Sequence, residues 1–212
     1  MKPVNKNQFL DSLESKVERH LQTAIQRFQN VSEPLLNKPA DNAGWSIAQC
    51  LEHLNSYGRY YLPAIEKAMA KAAGNKPVLY FQSSWLGNYF YKMMLPESNG
   101  GIKKKMKSPK DHQPGLQLNS EKVLNEFISQ LEILGRLLTE AHDTDLNLAK
   151  VPVSIAPFIK LKLGDVFLFL TAHINRHVLQ AERALQAAVS EAVATSLPAG
   201  KRLQEGDTQF IR

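Results

Sequence analysis

Histidine is the residue type in this chain that could carry metal chemistry, and two of its six copies stand one helical turn apart: His173 and His177. Two neutral imidazoles four residues apart on a helix lie about 40° apart around its axis, stacked on one face. Such a pair can bind a divalent ion, with bonds of roughly 2.0–2.1 Å to nitrogen. It can equally be two core histidines satisfied by hydrogen bonds. The segment His173-Ile174-Asn175-Arg176-His177 has no glutamate in its second position, so a zincin-type protease site is not supported. His53 lies in a different periodic segment, and helical bundles assemble cofactor sites from side chains on facing helices. A third imidazole from there would give three protein ligands and leave a position open, the layout of reactive zinc sites. The alternative for His53 is a hydrogen-bonded residue on the helix surface. His20 is expected at the edge of the core, and His112 and His142, in polar loop-like sequence, in ordinary surface roles. Cys50, one turn before His53, could be a soft fourth ligand or a small buried hydrophobe, the second being expected.

The elements that must position these rings follow from hydrophobic periodicity. Phe9, Leu13, Val17, Leu21, Ala24, Ile25 and Phe28 recur at three- and four-residue steps and predict one amphipathic helix over 7–31, ended before Pro34. A second helix opens at Ser46, with Gln49 completing a capping box. It carries Ile47, Cys50, Leu51, Leu54, Tyr57, Tyr61 and Ile65 inward, with a kink expected at Pro63, and fades near Gly74. Residues 84–95 read as a short apolar helix that either roofs the site or packs on another subunit. Trp45 reads as a staple-like core contact ahead of the second helix. A third long helix starts near Ser120 behind Asn119 and a fourth after Gly164-Asp165, where the carboxylate suits the positive helix end. Val78, Tyr80 and Phe81 could be a strand, but one without a partner. The expected fold is therefore all-α: an antiparallel four-helix bundle with a short extra helix between its second and third helices. Residues 1–190 are expected to form the single domain and 191–212 a polar tail, frayed after Pro198.

Composition bounds the function. With 43% hydrophobic and 22% charged residues the chain can fill a sizeable core. Its net charge of +6 is concentrated at Lys103, Lys104, Lys105, Lys107 and Lys110. Aromatics do not interleave with these lysines and no zinc-finger or RNA-recognition pattern accompanies them, so a solvated loop is expected rather than a nucleic-acid site. A single cysteine rules out an internal disulfide framework. The polar first residues lack a secretory signal, and the longest apolar run falls far short of the roughly 20 residues that span a bilayer. A cytoplasmic protein without membrane contact is expected.

Two segments carry a family resemblance. Trp45-Ser46-Ile47-Ala48-Gln49-Cys50-Leu51-Glu52-His53-Leu54 resembles the second-helix signature of the DinB-like (DNA-damage-inducible) superfamily, and Ala172-His173-Ile174-Asn175-Arg176-His177-Val178-Leu179-Gln180 its last-helix signature. The first helix and Lys107-Ser108-Pro109 also fit, so the likeness spans nearly the whole chain. It implies a four-helix bundle, often a homodimer, in which three histidines hold a divalent metal, commonly zinc or nickel; here these would be His53, His173 and His177. It further implies a metal-dependent enzyme acting on a small molecule, either joining a low-molecular-weight thiol to an electrophile or hydrolysing its substrate. The non-enzyme alternative is a metal-stabilised stress-response or binding module. Relatives with assigned chemistry often have an acidic residue between the two last-helix histidines, where this chain has Asn175 and Arg176, so no detailed mechanism carries over. Glu52, Tyr57, Asn175 and Glu182 are candidates for supporting the ligands.

Overall fold

A computed structural model describes residues 2–40, 44–76, 78–96 and 107–196, the last five as backbone only. Lys103, Lys104 and Lys105 and the tail beyond Ser196 lie outside the described residues. The described chain is mostly helical. Helix α1 (Lys6–Thr23) continues through a π-helical stretch, Ala24–Phe28. The short α2 (Glu33–Asn37) leads to α3 (Ile47–Ala72), then come α4 (Trp85–Met94), α5 (Ser120–Glu140) and α6 (Leu163–Ser196). Helix α3 packs against both α5 and α6, and α1 closes against the same two. Among the described residues, no helix is long and apolar enough to cross a membrane.

Local chemistry sets the helix starts. Ser46 Oγ accepts from the amide of Gln49 while Gln49 Oε1 accepts from the amide of Ser46, at 3.1 and 3.0 Å, so two amides that the helix cannot use are satisfied reciprocally. Asn119 caps α5 through the amide of Lys122 at 2.9 Å. The stripe expected on α3 is buried and meets the buried faces of α5 and α6 in one core. On α1 the buried face includes Leu10, while Ile25 is exposed. Helix α3 runs through Pro63 as one element.

Asp165 has a more specific role than a charge at a helix end. It is fully buried, and its Oδ2 accepts from the amide and hydroxyl of Ser84, at 3.1 and 2.6 Å, just before α4. Ser84 Oγ in turn caps α4 through the amide of Gly87 at 3.0 Å. A Cβ at Gly87 would stand 2.1 Å from Asp165 Cγ, so only glycine lets α4 come this close to α6.

The described residues are mostly helical, consistent with the all-α expectation, but strands accompany the helices. Two small antiparallel sheets are present. Strand β1 (Val4–Asn5) pairs with β2 (Tyr80–Phe81), so the lone strand does have a partner, supplied from just ahead of α1. Strands β3 (Lys150–Val153) and β4 (Ala156–Lys162) form a hairpin leading into α6. Its turn, Ser154-Ile155, lacks the Asn-Gly or Asp-Gly that marks such turns, and exposed Phe158 breaks the alternation expected of a half-buried strand.

Candidate metal centre

The site lies where α3 faces α6. Each of the two helices turns a buried stripe toward the other, and the histidines occupy positions in those stripes that would otherwise be apolar. His53 comes from α3, His173 and His177 from successive turns of α6, and their exposures are 4, 4 and 8%. Their ring centroids form a near-equilateral triangle with sides of 5.0, 4.6 and 4.8 Å. Each ring offers a nitrogen such that all three atoms lie within 4.8 Å of one another. The three positions singled out from the sequence are therefore brought together.

Hydrogen bonding decides which nitrogens face inward. His53 Nδ1 lies 2.7 Å from the carbonyl oxygen of His112, to which only a protonated nitrogen can bond. The proton is thus on Nδ1, and the Nε2 lone pair is left for the centre. His177 Nδ1 likewise lies 3.0 Å from Gln180 Oε1. His53 Nε2 and His173 Nε2 are 3.1 Å apart, and the buried His173 Nδ1 has no hydrogen-bond partner. Two nitrogens each about 2.1 Å from one ion stand about 3.0 Å apart at a right angle and about 3.4 Å apart at the tetrahedral angle. The donor set and its spacing fit a shared divalent ion.

Burial keeps the rings in the form that binds metal. It pushes His53 down to about 4, opposed by the bond to the His112 carbonyl. It pushes His177 down to about 3, with His53 and Arg176 adding to the effect. His173 is held well below the ordinary histidine value by burial and by its two neighbours. All three are neutral at pH 7, with lone pairs not taken by protons. Trp45 stacks against this cluster, its ring centroid 4.9 Å from that of His53 and 5.7 Å from that of His177, and Tyr57 packs edge-on against His173 at 4.5 Å.

The three histidines line a cavity of about 500 Å³. Its walls are largely apolar, with Trp45, Tyr61, Phe90, Met93, Ile155 and Phe169 among them, while Lys107, Arg176, Ser154 and Gln180 supply polar atoms. Among the described lining residues there is no carboxylate. Helix α4 lines the site with one face and is exposed on the other. Phe90, Met93 and Met94 line the cavity, while Trp85 and Tyr89 are 80 and 51% exposed. Trp45 proves to be part of the site wall as well as a core contact.

The expectation for His112 is overturned. His112 is not a surface residue: it is buried, stacked on Tyr57 with centroids 3.8 Å apart, and its carbonyl orients His53. No periodic pattern surrounds it, so nothing local marks it. His20 is buried, and burial pushes it down to about 4. His142 is half-buried near Glu14. Cys50 is the small buried hydrophobe expected: it is fully buried, lies outside the cluster, and burial pushes its thiol up to about 12, which does not suit a thiolate ligand. Glu52 and Glu182 are engaged by Arg59 and Arg27, while Tyr57 packs against the rings of His53 and His173.

The family model of the DinB superfamily matches residues 16–181. The chain belongs to the DinB superfamily. The match runs from within α1 to beyond His177, so the superfamily region contains the whole centre. No curated protein and no solved structure matches the chain. Within the DinB superfamily region the cluster of His53, His173 and His177 could hold a metal ion.

Proposed function

We propose that this DinB superfamily protein is a divalent-metal-dependent enzyme, with zinc or nickel held by His53, His173 and His177, that joins a low-molecular-weight thiol to an apolar electrophile. The observation that carries this reading is that three neutral imidazoles converge on one point and open onto a large apolar cavity. A structural zinc site is closed by four protein ligands, whereas a reactive one keeps a position open. Among the described residues no further His, Cys, Asp or Glu joins the three. When bound, the ion supplies Lewis acidity that lowers the pKa of a thiol or water brought to it. The protein does the rest: Trp45 and Tyr57 pack the rings in place, and the cavity wall of Phe90, Met93 and Phe169 excludes water and takes up the apolar body of the electrophile. Lys107 and Arg176 set a positive potential at the cavity, which favours a thiol that carries carboxylates. We read residues 1–190 as one antiparallel four-helix bundle whose hairpin and α4 complete that cavity.

The test combines elemental analysis with a panel of thiols and electrophiles, before and after chelation. About one equivalent of metal per chain is expected, with thiol-dependent turnover that chelation abolishes while the helical signal persists. Turnover of ester or amide substrates without thiol would favour hydrolysis instead. Metal uptake that only raises the melting temperature, with no turnover in either panel, would favour a metal-stabilised binding module. Absence of metal would reject the reading.

A further inference from the structure

We infer that His112 is the positioning residue of this centre, a side chain that never touches the metal but fixes the ring of His53 by holding the backbone turn that bonds it. This rests on the metal-binding reading above.

His112 ends a one-turn 3-10 helix, Lys110–His112, in the connection between α4 and α5. Its carbonyl accepts from His53 Nδ1 at 2.7 Å. Its ring returns to the same helix by a second route. Ser56 Oγ donates its single proton to the carbonyl of His53 at 2.7 Å, so toward His112 Nδ1, 2.9 Å away, the Ser56 oxygen can only accept. His112 Nδ1 therefore carries the proton, and Nε2 accepts from Ser154 Oγ, 3.0 Å away at the turn of the β3–β4 hairpin. Ser108 Oγ adds a bond to the His112 carbonyl at 3.2 Å. The two histidines hold each other twice, once from ring to carbonyl and once from ring through Ser56 to carbonyl, with Tyr57 clamping the His112 ring face at 3.8 Å.

The consequence is directional. A metal-ligating histidine needs its outer nitrogen bonded so that the ring neither turns nor changes tautomer, and losing such a partner typically weakens metal binding about 10–100-fold. Here that partner is a backbone carbonyl in a short turn, and what docks the turn on α3 and on the hairpin is the imidazole of His112. Removing the ring releases the carbonyl, and His53 loses the bond that keeps its Nε2 lone pair directed inward.

The probe is cobalt(II), titrated into the metal-free full-length protein against a competing chelator and followed by its visible absorption. His112→Ala should weaken cobalt binding about 10–100-fold and alter the spectrum, because the coordination geometry changes. His112→Asn, which restores a donor near the position of Nδ1, should recover part of the loss. Ser56→Ala, which removes one oxygen, should weaken binding by a smaller factor. Circular dichroism melts of the metal-free variants separate this from misfolding; if His112→Ala does not fold, Ser56→Ala carries the test alone. Wild-type affinity and an unchanged spectrum in the folded His112→Ala variant would overturn the inference and leave the metal centre standing, as would unchanged affinity in Ser56→Ala where that variant stands alone. No cobalt uptake by the wild type would overturn both.

Discussion

The start of α1 and the histidine centre both bury polar nitrogen, and they balance it in opposite ways. Lys6 is 3% exposed, and its Nζ donates to the carbonyls of His142 and Thr144, in and just after the 3-10 turn Ala141–Asp143 that follows α5. Burial pulls the ammonium below the ordinary lysine value, while Asp143 and Asp145 support its charge. Every interaction there is closed by protein atoms, as expected of a clamp between two helices. At the histidine centre the outer nitrogens of His53 and His177 are satisfied, the Nε2 atoms of His53 and His173 lie within hydrogen-bond reach of each other at 3.1 Å, and the buried His173 Nδ1 has no partner. A buried polar group without a partner costs stability, and the three rings gathered at this point could hold a metal ion. The first region ties the fold together; the second gathers three imidazoles that could hold a metal ion.

The strongest way to break this contrast is to remove one inner donor. His173→Ala should reduce metal content from about one equivalent to near zero, read by elemental analysis beside the wild type; equal content in both would take α6 out of the site. Acid comes next in size. His20, His53 and His177 have folded values of about 4, 4 and 3, below the free histidine value of 6.5. Their unfolded forms bind protons more readily, so the stability they contribute is full above about pH 6.5 and drains as the pH falls toward the folded values. Denaturant melts of the metal-free protein should show that decline, and His20→Gln should make it shallower without changing metal content. At the clamp, Lys6→Met strands two carbonyls and should cost roughly 1–3 kcal/mol, or about 2–4 °C in melting temperature per kcal/mol. Metal content should stay at the wild-type level, and a loss of metal there would erase the distinction between the two regions. The smallest effect is expected at Cys50. Its thiol, pushed up to about 12, should resist alkylation in the native protein at pH 8 and react only after unfolding.

The same contrast explains what could be read ahead of the coordinates. The capping box of Ser46 and Gln49, the cap at Asn119 and the stripes of α3, α5 and α6 are local or periodic, and each element announces itself within a few residues. His173 and His177 share a helix, so their common face is fixed by chain geometry. His112, Ser154 and the β1–β2 pairing are different. Their partners are remote in sequence, they lie in turns and short strands, and no period links them to what they touch.

By itself the sequence determined the long helices, which of their faces point inward, and which imidazoles ride on those faces, because side-chain direction along a helix follows from the residue count. It left open whether His53 would meet the pair on α6, and it held no trace of His112 as the support for that ring. Those were decided only by tertiary structure. Packing of α3 on α6 sets the distance between rings, and hydrogen bonds across the chain set which nitrogen of each ring carries its proton.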